Sequence, residues 1–395
     1  MRRAPALSFL LVTVFIDMLG LGLIVPIVPA LLTDLTGHAG GAARWSGLIG
    51  SGYGLLQFLS APLLGRLSDR HGRRPVLLAS LSCLGVDYLA HAASPTVWLL
   101  VLFHAVAGAC AGTNTVVNAY IADVTAPELR ARAFGLVGAA FGLGFVAGPT
   151  VGGLLGAVDV RLPFYAAAGL AFANVLYGWL VLPESRPGDR GTPLGRGVVN
   201  PVGALAAVLR RPVLGRLAWA RLSADVARMT GQVIWTFFVT VRFGWGTAQV
   251  GVVMAAGALA GVAFQARLVG PIVRRLGDKR AAVLGGALGV VTLAGTAAAS
   301  APWVVYVLQA VGVLGSVGGA AAQAWLSRAT GADEQGTVQG AVTGIGAIAE
   351  TAVPVAAGAA FAWSLTCDQP GLVFLGAAAF AAVSVLLLAA TPATN

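Results

Sequence analysis

The stretch that decides the fold is GRLSDRHGRR, at residues 65–74. Two apolar stretches flank it, at about 44–64 and 75–93, and each is long enough to cross a bilayer, which takes roughly 20 mostly apolar residues. A short basic segment between two such stretches is typical of the cytoplasmic side of a membrane protein. Gly65 and Gly72 permit tight backbone turns, and Asp69 can pair with an arginine or a helix N-terminus. The segment predicts two spanning helices joined by a structured turn.

Composition extends this prediction to the whole chain. Apolar residues make up 57% and charged residues only 10% of the 395 residues, which leaves too little polar surface for a soluble domain. The formal net charge of +10 does not indicate nucleic-acid binding, because the basic residues lie in short clusters between apolar stretches. Cys83, Cys110 and Cys367 are isolated, so they predict neither a disulfide framework nor a metal cluster.

Apolar stretches of spanning length predict an all-α membrane protein with twelve helices in two sets of six. The predicted helices cover about 7–32, 44–64, 75–93, 97–121, 131–157, 163–182, 213–240, 247–269, 281–300, 303–327, 336–361 and 371–390. The long polar segment that starts at Pro183 is rich in proline and glycine and divides the two sets. The predicted organisation is therefore a first half at 1–182, a cytoplasmic linker at 183–212 and a second half at 213–395.

The distribution of basic residues predicts the orientation. The first apolar stretch contains Asp17 and lacks a convincing cleavage site, so we interpret it as a retained helix rather than a signal peptide. A cytoplasmic N-terminus places about 20 of the 25 Lys and Arg residues on the cytoplasmic side and leaves only Arg44, Arg161 and Arg242 outside. Both termini are expected in the cytoplasm.

The two halves share a motif. GPIVRRLGDKR at 270–280 follows the second predicted helix of the later half, and it has the glycine spacing and trailing basic residues of 65–74. This repeat predicts a duplicated six-helix unit, as in transporters built from structural repeats.

The segment at 65–74 resembles the signature between helices two and three of the major facilitator superfamily, which implies that fold and its pseudo-symmetric halves. The resemblance implies a gating latch in which Asp69 and Arg73 pair with Asp123 at the end of helix four. The remaining gating candidates are Gly65, Arg70, Gly72, Gly148 and Pro149.

Helix five carries glycines at every fourth position, Gly144, Gly148, Gly152 and Gly156, on one helical face. Such a face lets a neighbouring helix approach closely. The stretch GPTVGG at 148–153 also resembles the signature of the exporter branch of the superfamily. That resemblance implies antiport rather than symport.

Helix one, DMLGLGLIVPIVP at 17–29, and VDY at 86–88 resemble the tetracycline/proton antiporters, and the similarity is densest over residues 10–165. The resemblance implies a proton-coupled exporter of a tetracycline-like or other amphiphilic drug in a bacterial inner membrane. It implies no cofactor besides the proton gradient, and it allows a metal chelate as the substrate. Ionisable groups inside a bilayer are expensive, so we expect proton coupling at Asp17, Asp87, His104 and Glu350.

The chain departs from that subfamily at several charged positions. His104 stands where such exporters usually carry an arginine, and Gly261 and Gly289 stand where the subfamily has a histidine and an aspartate. Unexpected charges occur instead at Arg221, Asp225, Arg228 and Glu350. Glu350 either takes over a proton-coupling role or forms an ion pair with Arg221 or Arg228. The candidate substrate-binding residues are Asp17, Gln57, Asp87, His104, Asn114, Asn118, Asp225 and Gln265.

Three other classes of function can be compared with the exporter: an enzyme, a proton-coupled importer and a non-transporting scaffold. An enzyme is disfavoured because the histidines His38, His71, His91 and His104 have no metal-ligand spacing in the sequence and no phosphate-binding loop occurs. A proton-coupled importer has the same fold, but the helix-five signature disfavours it. A non-transporting scaffold is disfavoured by the acids inside the predicted helices.

Overall fold

The computed structural model describes residues 4–126, 129–185, 210–330 and 335–392, and within these ranges the chain is helical apart from short turns. The first eight helices are α1 (Ala4–Ile24), α2 (Val28–Thr36), α3 (Ala39–His71), α4 (Arg73–Ala93), α5 (Val97–Ala109), α6 (Thr113–Val124), α7 (Arg130–Val158) and α8 (Leu162–Val181). The other eight are α9 (Pro212–Phe243), α10 (Thr247–Phe264), α11 (Gly270–Leu276), α12 (Asp278–Ala298), α13 (Pro302–Gly315), α14 (Val317–Arg328), α15 (Gln335–Thr366) and α16 (Leu372–Ala390).

The long apolar helices bear out the prediction of a multi-pass membrane protein. Ten segments of the described chain are long and apolar enough to cross a membrane. Two further predicted spans are helical but do not meet that description. The span at 97–121 is split into α5 and α6, and α9 carries Arg216, Arg221, Asp225 and Arg228.

Several predicted spans differ from the observed helices at their breaks. The first span is not continuous to residue 32, because the chain turns at 25–27 and restarts as α2, with Pro29 in its first turn. The predicted loop at 65–74 is mostly helix, since α3 runs to His71 and α4 begins at Arg73. Between α10 and α11, a π-helical turn at Gln265–Val269 keeps the chain helical.

Glycine is required only at the second position of each repeated motif. Gly72 has φ +98° and Gly277 has φ +77°, a region that side chains with a Cβ rarely occupy. Gly65 lies within α3 and Gly270 has helical dihedral angles, so the tight turn predicted at Gly65 is wrong. The shared spacing therefore marks one sharp joint in each half.

The chain forms two compact units. The first comprises 1–197 together with 245–258, and the second comprises 198–244 together with 259–395. Beyond the sequence halves, the start of α10 clusters with the first unit, where Thr247 Oγ1 donates a hydrogen bond to the Gly153 carbonyl of α7 at 3.2 Å. The central part of the predicted linker, residues 186–209, lies outside the described residues.

Each unit is built from the same helix pairs. In the first unit α1 packs against α7 and α8, and α4 packs against α8 and α5. In the second unit α9 packs against α15 and α16, and α12 packs against α16 and α13. A polar contact also recurs, because Asn174 donates to the Thr13 carbonyl at 2.9 Å and Ser384 donates to the Ala220 carbonyl at 2.8 Å. These equivalent contacts agree with the duplicated six-helix unit predicted from the motif.

The glycine face of α7 lies against α1, as its spacing predicted. A Cβ at Gly144 would lie 2.6 Å from the Phe15 carbonyl oxygen, and one at Gly148 would lie 2.5 Å from the Gly22 Cα. A Cβ at Gly152 would meet the Leu23 carbonyl directly. The two backbones are thus in contact, which is how membrane helices gain dispersion energy where lipid and side chains are equally apolar.

Replacing Gly152 should therefore separate α1 from α7. We expect Gly152→Val to lower stability by about 1–3 kcal/mol, the usual cost of overpacking, and to lower the Tm of the purified protein in detergent. Gly138→Val is the matched control on the same helix, since a Cβ at Gly138 meets nothing within 4 Å. Equal losses in the two variants would contradict close packing as the reason for the glycine face.

Candidate functional site

A buried cluster of ionisable side chains lies inside the first unit. Asp87 and His91 are one helical turn apart on α4, and His104 comes from α5. His104 Nδ1 is 2.7 Å from Asp87 Oδ2, and His91 Nδ1 is 3.3 Å from Asp87 Oδ1. The side chain of Asp87 is only 1% exposed. A charge-assisted hydrogen bond therefore holds the carboxylate to a neighbouring helix at a depth where water is scarce.

Aromatic rings fix the two imidazoles. The Tyr53 ring of α3 lies 4.7 Å from the His104 ring, and the Phe164 ring of α8 stacks on His91 at 5.6 Å. The two histidine rings meet edge to face at 5.3 Å. Four helices thus position this cluster, and α4 and α5 can do so because only a short turn at 94–96 separates them.

The cluster brings together two histidines that the sequence did not connect. The spacing of the four histidines alone predicts no metal site, yet Asp87, His91 and His104 each place one ligand atom within 4.8 Å of the other two. The i,i+4 spacing of Asp87 and His91 was the available signal, but the third member comes from another helix. Pairing of α4 with α5 brings it into place.

Asp17 is the second buried acid of this unit. It lies on α1 and is 9% exposed. Tyr88, next to Asp87 on α4, packs against α1, since a Cβ at Gly20 of α1 would lie 3.6 Å from Tyr88 Cε2. Tyr88 OH is buried without a hydrogen-bond partner among the described residues. The two acids predicted to couple protons, Asp17 and Asp87, therefore belong to one polar region of the first unit.

The contacts of the predicted latch are present. Arg73 Nη2 lies 2.6 Å from Asp69 Oδ1, and Arg73 Nε donates to Asp123 Oδ2 at 3.0 Å. Ser68 Oγ accepts a further hydrogen bond from Arg73 at 2.6 Å, so each guanidinium nitrogen has a polar partner, and the Arg73 side chain is only 7% exposed. Arg70, also a gating candidate, lies in the last turn of α3. That these contacts gate transport remains a prediction.

Sequence reasoning missed Glu184, which follows α8. Its carboxylate accepts hydrogen bonds from the backbone N–H groups of Arg73 at 2.8 Å and Arg74 at 3.1 Å. These N–H groups lie in the first turn of α4 and have no partner within the helix. The Glu184 carboxylate therefore caps the helix, and its negative charge interacts favourably with the positive end of the helix dipole. Ser185 Oγ lies 3.3 Å from Asp123 Oδ2. The segment after α8 therefore joins the latch, which the position of Glu184 in a polar stretch gave no reason to expect.

The second unit repeats the latch with its charges exchanged. Asp278 stands directly after Gly277, where the first unit has Arg73 after Gly72. Arg328 ends α14, where Asp123 lies in the last turn of α6, and Arg328 Nη1 is 2.9 Å from Asp278 Oδ2. The same helix ends are therefore joined by an ion pair of opposite polarity.

A cavity of about 670 Å³ opens within the second unit. It is lined mainly by small residues of α9, α12, α13, α14 and α16, and among its polar lining residues are Arg221, Asp225, Arg228, Gln265 and Gln323. Asp225 and Gln265, both predicted to bind substrate, are thus brought to one cavity. Gly289 also lines it, and a Cβ there would meet nothing within 4 Å.

Asp225 anchors both arginines of this cavity. Its Oδ2 lies 2.6 Å from Arg221 Nε and its Oδ1 lies 3.3 Å from Arg228 Nη2. Arg221 Nη1 also lies 3.4 Å from Gln323 Oε1. The Asp225 side chain is 5% exposed, while those of Arg221 and Arg228 are 37% and 53% exposed. Two cations against one anion leave the polar wall of the cavity with an excess positive charge.

The possible ion pair of Glu350 with Arg221 or Arg228 is not present. Both arginines pair with Asp225, and Glu350 is exposed and has no ion pair within the part of the chain that the structure describes. On α15 the exposed apolar residues Ile348 and Val355 lie on one face. At 100° per residue, Glu350 lies on the opposite face. Asp225 fulfils the pairing role because it lies on α9 itself, three and four residues from the arginines.

The other substrate candidates are not drawn into either cluster. Gln57 is partly buried on α3 and Asn118 is exposed on α6. The side chain of Asn114 lies outside the described part of the structure. Gly148 and Pro149 contact Gly22 of α1, and the Pro149 carbonyl lies against Gly251 of α10. The exporter-like signature thus forms a close junction of three helices.

Comparison with known proteins identifies the class of molecule. A family model described as the Major Facilitator Superfamily matches residues 10–354. The class C tetracycline resistance protein of Escherichia coli is 38% identical over 92% of this chain and 91% of that protein. The class G protein of Vibrio anguillarum is 36% identical over 90% and 89%.

Solved structures show the same fold. The human organic anion transporter MFSD10 matches with a TM-score of 0.68 at 22% identity, covering 98% of this chain and all of that one. The nucleoside transporter NupG matches with a TM-score of 0.78 at 14% identity, covering 99% of each chain. Together with the family match, these similarities place the chain among membrane transporters. The chain belongs to the Major Facilitator Superfamily.

The exchanged polarity of the two latches can be tested by charge reversal. Asp123→Arg places a cation against the nearly buried Arg73, and we expect a loss of about 3 kcal/mol, the lower end for breaking a buried pair. Adding Arg73→Asp recreates the polarity of Asp278 and Arg328, so the double variant should recover part of the lost Tm and transport. Asp123→Arg with Arg73→Ala is the control. Equal recovery in that control would show that polarity is unimportant.

The two acids of the second unit should respond differently to neutralisation. Asp225→Asn leaves two arginines beside an uncharged amide, so we expect a clear fall in Tm. Both arginines are more than a third exposed, so the loss should be about 1 kcal/mol for each broken pair rather than the cost of a fully buried one. Glu350→Gln should leave the Tm nearly unchanged, because no ion pair is lost among the described residues. Thermal unfolding of both variants in the same detergent measures this. A large fall for Glu350→Gln would restore the ion-pair interpretation.

Proposed function

We propose that this protein is a proton-coupled efflux antiporter, which exports a tetracycline-like or other amphiphilic drug by alternating access. The observation that carries the proposal is Asp87, which is buried inside a spanning helix and hydrogen-bonded to His104 at 2.7 Å. A charge in this position costs about 2.5–3.5 kcal/mol on insertion scales and is seldom kept without a task. Binding and release of a proton at this cluster would be such a task.

In this proposal, protons and drug are exchanged because they compete for the same polar region. With the site open to the outside, protons bind at Asp87 and its histidine partners, and at Asp17. When the halves rock and the site faces the cytoplasm, the protons leave and the drug enters. Return of the loaded site to the outside releases the drug. His104 occupies the place of the arginine in related exporters, and it can both hold Asp87 and carry a proton itself.

The substrate class rests on the relatives and on the second unit. The relatives with the highest identities given above are tetracycline resistance proteins, and the aligned region covers nine-tenths of each chain. The cavity of about 670 Å³ lies within the range of drug-sized pockets. Its excess positive charge suits an amphiphile with a free anionic group. No bound cofactor is proposed, and the proton gradient supplies the energy.

The proposed location is the bacterial inner membrane, with both termini in the cytoplasm. Large apolar side chains such as Trp98, Leu102, Trp179 and Leu386 are exposed, as expected of residues that contact lipid. The excess of basic residues in the predicted cytoplasmic segments supports the orientation. The latch at Arg73 then lies on the cytoplasmic side, where its opening would accompany the change in access.

Everted membrane vesicles test the proposal. When respiration acidifies the vesicle interior, we expect the protein to accumulate tetracycline and to release protons, whereas an importer would give no proton-driven uptake into such vesicles. Asp17→Asn and Asp87→Asn should reduce this accumulation at least about tenfold. Retained drug-for-drug exchange in Asp17→Asn would show that Asp17 carries the proton, and loss of exchange would show that it also binds the drug. Asp34→Asn, an exposed acid at the end of α2, is the control and should transport normally. Normal proton-driven accumulation in Asp17→Asn would overturn the coupling role of that residue.

A further inference from the structure

We propose that Asp87, His91 and His104 form a binding site for a divalent transition-metal cation of the Zn²⁺ class. The inference is independent of the drug that the protein exports. It concerns the same polar cluster, but it rests on the geometry of the ligand atoms rather than on transport.

The distances carry the first step. One ligand atom from each of the three side chains lies within 4.8 Å of the other two, and the closest pairs are 2.7 Å and 3.3 Å apart. Ligands at about 2.0–2.2 Å from a tetrahedral zinc ion are a little over 3 Å from one another. Small side-chain adjustments therefore suffice to surround one ion, with no change in the helix pair.

Asp87 supplies a second, independent observation. Its Oδ1 is buried and accepts no hydrogen bond among the described residues. His91 Nδ1 is near it at 3.3 Å, but that nitrogen donates to the Asp87 backbone carbonyl at 2.9 Å instead. A buried carboxylate oxygen without a partner is costly. A cation held between this oxygen and the imidazoles would remove that cost.

The donor set selects the class of cation. Two imidazoles and one carboxylate suit Zn²⁺, Co²⁺ and Ni²⁺, whereas Mg²⁺ and Ca²⁺ prefer oxygen ligands. Three protein ligands leave one position of a tetrahedron for water or another small ligand. The His104 side chain, which is 18% exposed while the other two are almost fully buried, gives the open side of the site.

The metal and the proton would use the same atoms. Each imidazole nitrogen that binds a metal must first lose its proton, so a bound cation displaces the protons that the hydrogen bonds now hold. A transition metal should therefore compete with proton loading and inhibit efflux. A cluster that binds only protons would show no such metal binding. A metal titration therefore distinguishes a proton-binding cluster from a metal-binding one.

Cobalt reports directly on the site. The full-length protein, purified without a histidine tag, is titrated with Co²⁺ alone, and we expect the intense visible absorption of four-coordinate cobalt at one equivalent. Added Zn²⁺ should abolish the band and Mg²⁺ should not. His91→Asn and His104→Asn should each weaken binding by more than about tenfold, since even a lost second-shell partner costs that much.

His38→Ala is the matched control, because His38 is exposed and belongs to no such cluster among the described residues, and it should keep the band. Saturating Zn²⁺ should also raise the Tm of the unmodified protein, a readout that needs no variant to fold. The proposal is overturned if the unmodified protein shows neither the cobalt band nor the Zn²⁺-dependent rise in Tm, or if both histidine variants keep the band. These measurements involve no drug, so their failure would leave the proposed efflux activity untouched.

Discussion

The structure depends on the cost of placing charge in hydrocarbon. A spanning helix can carry an ionisable side chain only if the chain itself supplies the partner, because no water is available to do so. Each buried ionisable group described here has such a partner or a polar neighbourhood. Asp87 is held by His104, Asp225 holds two arginines, and Arg73 lies between two carboxylates. These contacts also fix which helices are neighbours.

Burial of these ionisable groups also requires close contact between the helices. On α7, the glycines that face α1 bring the backbones together, so the polar region around Asp17 is covered by helices and not by lipid. In the second unit the small residues of α12 and α13 leave space instead, and the cavity forms there. The same residue type therefore serves close packing in one half and an open volume in the other, depending on whether a neighbouring backbone fills the gap.

Local patterns allowed much of the fold to be predicted, and tertiary contacts explain what was missed. The glycine period identified the face of α7 that a neighbouring helix contacts, and the family resemblance of 65–74 implied that Arg73 pairs with Asp69 and Asp123. The pairing of His104 with Asp87 and the capping role of Glu184 join parts of the chain that are distant in sequence, which no spacing reveals. Of the two roles considered for Glu350, the ion pair with Arg221 or Arg228 is absent for a related reason. Asp225 on α9 reaches both arginines within one helical turn, and a distant acid cannot compete with that proximity.

The joint at Gly72 has a mechanical consequence. Helix α3 ends at the residue before Gly72 and α4 begins at the residue after it. Gly277 joins α11 to α12 in the same way. A connection of one residue has no slack, so a tilt of either helix must be passed on to the other. Cross-links through Arg73 and Glu184 stiffen the first of these joints further. Each such pair of helices should therefore move as one rigid body. A change of the angle between the two helices would cost more energy than a movement of the pair as a whole.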